Sequence, residues 1–236
     1  MSGHIHRLAA PKRYPILRKI AHYLIKVNPG PHSKKDSVPL LIALRDILKI
    51  VQTSREAKRV LNARKIYVDG VVRRDPKFPI GLMDVISIPD ENKQFRVVFD
   101  KHGRISLIEI KDDEAKLKLC KIVNKKKIKG GKTQLNLHDG RNIIVEKDEF
   151  KTGDSLLIEI PSQDIKKHLK FEKDVFVYIT DGTHVGEFAK ISDFKQMPGP
   201  TPDRVVLTNP SGESFETLKK YVFVVGKEKP EVFLGE

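Results

Sequence analysis

Beyond residue 65 the apolar residues of this chain come only in short runs, and three of the breaks between them are Asp-Gly pairs: Asp69-Gly70, Asp139-Gly140 and Asp181-Gly182. Asp-Gly supplies the positive backbone dihedrals of a tight hairpin turn, so a chain punctuated this way makes short antiparallel strands. Strands are expected at 84–88, 95–99, 105–110, 143–145, 155–160, 175–179, 204–207 and 221–225. Segment 134–137 also alternates like a strand. Such spacing suggests small barrels or sandwiches. At 236 residues, with 39% hydrophobic and only 7% aromatic residues, several small cores are expected rather than a single large one.

One segment has a different period. Leu40, Leu41, Leu44, Ile47, Leu48 and Val51 recur at helical spacing after Pro39. A second helix should follow Ser54 as its cap, with Ala57, Val60 and Leu61 on one face and Arg55, Lys58, Arg59 and Asn62 on the others. Lys65 to Arg74 then reads as two strands about Asp69-Gly70. Helix, helix and hairpin make one compact unit within 40 residues. A further helical turn or two is expected near Glu114 to Cys120.

The first 37 residues mix cations with breakers, Pro11, Pro15, Pro29, Gly30 and Pro31 among them. The segment reads as an extension that orders on a partner, with one short helical piece around Ile16 to Ile25; a solvated tail is the alternative. The expected layout is an extension at 1–37, the helix-helix-hairpin domain at 38–100, a β-rich domain at 101–170, a β-barrel at 171–226 and a tail at 227–236. The class is α+β and multi-domain.

The formal charge is +14, and residues 1–75 hold 17 Lys/Arg against 5 Asp/Glu, leaving 28 against 26 for the remainder. A polyanion should therefore meet the N-terminal third, and phosphate neutralisation makes nucleic acid the leading partner. An anionic membrane would call for a lipidation signal or a basic amphipathic helix with a bulky apolar face, and neither is found. Lone Cys120, the lack of a secretory apolar run and the lack of a spanning segment point to a cytosolic chain without disulfides. Residues 116–132 contain eight lysines and no acid, readable as a flexible basic loop that clamps phosphate or as a solvated charge run.

Ser54-Arg-Glu-Ala-Lys-Arg-Val-Leu-Asn62 followed by Ile66-Tyr-Val-Asp-Gly-Val-Val72 resembles the small RNA-binding domain named after bacterial small-subunit ribosomal protein four, a domain also found in pseudouridine synthases and some RNA methyltransferases. His4-Ile-His-Arg-Leu-Ala-Ala-Pro11, Gly81-Leu-Met-Asp-Val-Ile-Ser87 and Glu114-Ala-Lys-Leu-Lys-Leu-Cys-Lys121 resemble the archaeal and eukaryotic small-subunit ribosomal protein four-e family, over nearly the whole chain. The segment from Asp174 to Ile191 is similar to the KOW motif of ribosomal and transcription-elongation proteins, which implies an SH3-like barrel that binds RNA or protein. The basic tail of animal members is lacking after Glu236, which suggests an archaeal form.

Chemistry is weighed against these readings. Gly130-Gly131-Lys132-Thr133 has Lys126 where a phosphate-binding loop needs glycine, and no Gly-x-Gly occurs among the fifteen glycines. There is no Gly-x-Ser-x-Gly elbow, and His4 with His6 makes a poor zinc site. No catalytic residue, metal, cofactor or small-molecule substrate is expected. The resemblance implies a structural component of the small ribosomal subunit, with ribosomal RNA and neighbouring ribosomal proteins as partners. The phosphate contacts are assigned to Lys12, Arg13, Arg18, Lys19, Arg55, Lys58, Arg59, Lys65, Arg73 and Arg74. An RNA-modifying enzyme is the rival reading, and a protein-binding KOW regulator a third.

Overall fold

The computed structural model describes residues 3–146, 148–199 and 201–235. The first two residues and the last, which entered the reading of the termini, lie outside them. The chain is mostly β with a few short helices, and it forms two compact units, Met1–Lys118 with Gly235–Glu236 and Leu119–Leu234.

In the first unit the extension forms a two-stranded ribbon, β1 (His4–His6) against β2 (Tyr23–Ile25). Between them the chain is folded by arginine side chains. Buried Arg7 donates through Nε to Leu17 O at 2.6 Å, and Arg18 donates to Ala10 O at 2.7 Å and Pro11 O at 3.0 Å. The short helix expected around Ile16 to Ile25 does not form. Pro15 supplies no N–H, and Leu17 O is taken by a guanidinium rather than by an amide one turn on.

Next come β3 (Ser37–Pro39), α1 (Leu40–Ile42) and a π-helical turn over Ala43–Ile47, closed by Leu48 N donating to Ala43 O at 2.9 Å. The predicted helix is therefore short, and Lys49 ends it in the left-handed region with φ 56°. Helix α2 (Ser54–Asn62) packs Ala57 and Leu61 inward. Strands β4 (Tyr67–Val68) and β5 (Val71–Val72) make the predicted hairpin, with Asp69 at φ 51° and Gly70 at φ 73°, both positive as a type I′ turn requires. Strand β6 (Pro79–Gly81) pairs with β3; β7 (Val85–Ile88), β8 (Lys93–Phe99) and β9 (Ile105–Ile110) complete a sheet of order β5-β4-β7-β8-β9. Leu40, Ile42, Leu44, Leu61, Ile66, Ile80 and Met83 fill its core. After α3 (Asp112–Ala115) fully buried Arg96 donates to Glu114 O at 2.9 Å and Leu117 O at 3.0 Å. Burial pushes its guanidinium down from the ordinary value.

Sequence separation hides a buried ionic cluster in this unit. Lys118, fully buried, donates to Asp69 Oδ2 and Asp84 Oδ1, each at 2.6 Å, and His32 Nε2 lies 2.9 Å from both Asp84 oxygens. Backbone amides also donate to the carboxylates, Gly81 N to Asp84 Oδ2 at 3.0 Å and Val85 N to Asp69 Oδ1 at 2.9 Å. Burial pushes the Asp84 carboxyl up, but His32 and Lys118 beside it more than offset this and hold it well below the carboxylate range. Charges in a core are tolerated when their hydrogen bonds are made, as here.

Of the one or two helical turns expected from Glu114 to Cys120, only α3 forms, and it ends at Ala115; strand β10 (Leu117–Lys127) then runs from the end of the first unit into the second. Its buried residues Cys120 and Ile122 belong to a β-sheet core rather than to a helical face. With β11 (Thr133–Leu137), β12 (Asn142–Val145), β13 (Ser155–Glu159) and β14 (Ile165–Leu169) it makes a sheet of order β12-β11-β10-β13-β14 over Cys120, Ile122, Leu135, Leu137, Leu156 and Ile158. The last sheet is antiparallel. It consists of β15 (Phe176–Ile179), β16 (Phe188–Lys195), β17 (Arg204–Thr208), β18 (Ser214–Leu218) and β19 (Val222–Gly226), in the order β18-β17-β16-β15-β19. Val177, Ile179, Ala189, Ile191, Val205, Leu207 and Val224 are its buried face.

Candidate nucleic-acid interface

Helix α2 is the best-defined cationic element. Its cap is Thr53 rather than the expected Ser54. Glu56 N donates to Thr53 Oγ1 at 3.2 Å, and Glu56 Oε2 accepts from Gln52 N at 2.9 Å and Thr53 N at 3.3 Å. These two amides hold the Glu56 carboxyl below its ordinary value, and the reciprocal pair fixes the first turn. With Ala57 and Leu61 facing the core, Arg55, Lys58 and Arg59 are left exposed on a rigid backbone.

The other candidate cations differ in what holds them. Lys12, Lys19 and Arg74 are exposed. Lys65 is half-exposed and pairs with Asp90 at 2.5 Å, a surface pair that exchanges readily for another anion. Arg73 is half-buried, its guanidinium 4.4 Å from the centre of the Phe78 ring. Arg13 pairs with Asp36 at 2.9 Å and lies 4.1 Å over Phe99, while Arg18 holds the backbone carbonyls named above. These last two shape the extension, a role their charge alone did not disclose.

The lysine run of 116–132 is not a flexible loop. Lys118 is a core residue, and Lys121 donates to Lys220 O at 2.9 Å and Val222 O at 2.6 Å. Burial, with Lys219 beside it, pushes its ammonium down to about 8. Lys125 pairs with Asp148 at 2.7 Å. Lys126, Lys127, Lys129 and Lys132 are exposed at the end of the β10–β11 hairpin, whose Gly130 and Gly131 have φ 86° and 73°.

Cys120, His138 and Asp139 bring a thiol, an imidazole and a carboxylate within 4.8 Å of one another. Cation chemistry is poorly served there. His138 Nδ1 accepts from Lys121 N at 3.2 Å, which places the ring proton on Nε2, and the Arg141 guanidinium lies 3.4 Å from Asp139 Oδ2. Neither ring nitrogen then offers a lone pair to a metal.

The capped helix with its outward cations and the Asp-Gly hairpin after it lie within residues 39–86, the segment that the S4 domain model matches, so the chain is built around an S4 domain. Two further models match, the RS4NT (NUC023) domain at residues 1–35 and Ribosomal family S4e at residues 91–165. The chain is 50% identical to small ribosomal subunit protein eS4 of Methanocaldococcus jannaschii over 98% of this chain and 97% of that one. It is 48% identical to the protein of the same name from Methanococcus maripaludis strain C5, over 97% and 96%. The crystal structure of 30S ribosomal protein S4e from Thermoplasma acidophilum superposes with a TM-score of 0.71 at 34% identity, covering 81% of this chain and 96% of that one. The chain belongs to ribosomal family S4e. No helix among the described residues is long and apolar enough to cross a membrane.

Proposed function

We propose that this chain is a structural, non-enzymatic component of the small ribosomal subunit in the cytoplasm, where it binds and stabilises small-subunit ribosomal RNA beside neighbouring ribosomal proteins. The observation that carries the reading is α2, whose capping box and buried face leave Arg55, Lys58 and Arg59 outward on one rigid element of an S4 domain. Cations carried at fixed spacing on a folded helix meet phosphates of a folded RNA without the cost of ordering the backbone, and shape is what proteins mostly read in double-stranded RNA. Lys12, Lys19, Lys65, Arg73 and Arg74 extend this surface, with Arg13 and Arg18 holding the extension in the form that presents it. Segments 1–37 and 38–100 are the principal RNA-contacting parts. Segment 101–170 is the central β-rich part. Segment 171–226 acts as a KOW-type SH3-like barrel, a reading supported by its five-strand antiparallel order and by the glycine-bearing turn at Asp181-Gly182.

The test is salt. Binding of the full chain to small-subunit RNA should weaken steeply with salt, and replacing Arg55, Lys58 and Arg59 with glutamine should lower the log-log slope by roughly 2 to 3 while circular dichroism is unchanged. A flat salt response, or recovery of the chain away from ribosomes in fractionated lysate, overturns the reading.

A further inference from the structure

We propose that the outer face of the N-terminal β-ribbon is a stacking platform for an unpaired RNA base, centred on Tyr23. The inference rests on the RNA-binding reading above and adds to it a site that discriminates single strands from duplex. In β1 and β2, His6 pairs directly with Tyr23 and Ile5 with Leu24. Side chains alternate along a strand, so His4, His6 and Tyr23 share one face, while Ile5 and Leu24 share the other. The second face is turned inward, Leu24 being buried. The first is exposed, and instead of the charged or hydroxylic residues of a solvated ribbon it carries rings.

Tyr23 is 57% exposed. Its ring centre lies 4.6 Å from that of His4 in an edge-on arrangement and 5.0 Å from that of His6, with His22 at 6.4 Å. The His4 and His6 imidazoles flank the phenol on its own face and leave it more than half exposed, which limits the rotamer freedom lost when a flat ligand stacks. An exposed sheet face bearing aromatic rings is the physical basis on which single-stranded bases are bound, because every base offers a π-face.

Exposed Leu8, Leu17 and Ile20 lie in the same segment, and apolar surface alone would equally suit a protein partner. Charge decides between them. Residues 3–37 carry eight Lys/Arg and one acid, Asp36, so the ring sits in a cationic field that favours a phosphate-bearing strand. Base-paired RNA cannot offer a stacked face except at its ends, whereas an unpaired nucleotide can.

The chain has no tryptophan, so Tyr23→Trp provides a fluorophore unique to this position. Full-length Tyr23→Trp is titrated with a single-stranded oligouridylate and with an RNA hairpin of equal phosphate number whose loop is a non-nucleotide linker, so that it carries no unpaired base. Quenching by the single strand, weak or absent with the hairpin, is the expected result. In direct binding, Tyr23→Ala should weaken the single strand about tenfold and leave the hairpin unchanged, while Tyr23→Phe retains single-strand affinity within about twofold. Tyr23→Ala behaving as the unaltered chain toward the single strand, or weakening both RNAs equally, overturns the platform. If the hairpin still binds with a steep salt response in that case, only the platform falls. If the unaltered chain binds neither RNA, the RNA-binding reading falls with it.

Discussion

The buried cluster of Lys118, Asp69, Asp84 and His32 gives the sharpest test of how the first unit is held. Lys118→Met keeps most of the stem volume and removes the ammonium that lies 2.6 Å from two carboxylates. Asp69 would then keep the amide of Val85, and Asp84 the amide of Gly81 and His32. Removing one partner of a buried ion pair leaves an uncompensated charge and costs about 3 to 5 kcal/mol. At roughly 2 to 4 °C per kcal/mol for a chain of this size, the midpoint should fall by roughly 6 to 20 °C. The assay is paired thermal and urea denaturation of wild type and variant across pH. Asp84 is held below its unfolded value in the wild type, so its contribution is present above about pH 4 and is lost as pH falls through the folded value. In Lys118→Met that carboxyl should rise, and protonating it relieves the stranded charge, so the gap between variant and wild type should narrow on acidification. Asp69→Asn added to Lys118→Met should recover part of the loss at neutral pH. A loss under about 1 kcal/mol, or a gap indifferent to pH, would refute the reasoning.

Three further substitutions probe other parts of the first unit. Gly81→Ala would place a methyl 2.3 Å from the buried His32 ring, so the ring must leave Asp84; a loss of about 1 to 3 kcal/mol by urea denaturation is expected. Thr53→Ala removes the side-chain half of the capping box and should cost about 1 kcal/mol, with RNA affinity reduced only in proportion to α2 fraying. The Tyr14 hydroxyl is buried without a protein hydrogen-bond partner, and burial raises it to about 12; Tyr14→Phe should therefore leave the thermal midpoint unchanged or raise it, and a lowered midpoint would reveal a bond that the geometry does not contain.

Residues of different kinds were legible to different degrees. Ile105–Ile110 forms the strand expected there, and most other predicted strands are found within a residue or two, because those segments are short runs rich in apolar and β-branched residues closed by turn residues. Strand β14 was not anticipated, since Ile165–Leu169 exposes lysines on an edge of the sheet and shows little hydrophobic alternation. In the candidate interface, the outward cations of α2 follow from helical spacing, whereas the difference between Arg13 and Arg18 on one hand and Lys12 and Lys19 on the other does not. Whether a cation faces solvent or a carbonyl ten residues away is a matter of chain path.

The sequence by itself determined the strand-rich character, the helix-helix-hairpin unit, the basic N-terminal third and the family, since each rests on local pattern or on ordered motifs. Tertiary structure alone decided what Asp69, Lys118 and Tyr23 do. Asp69 was readable as a turn residue, yet its carboxylate is bound by Lys118, 49 positions on. Lys118 looked like one of eight surface lysines and is fully buried. Tyr23 meets His4 and His6 only because β1 and β2 pair across a loop folded by arginines. Local propensity fixes elements, but burial and partnership come from which distant segments the chain brings together, and no periodicity records that.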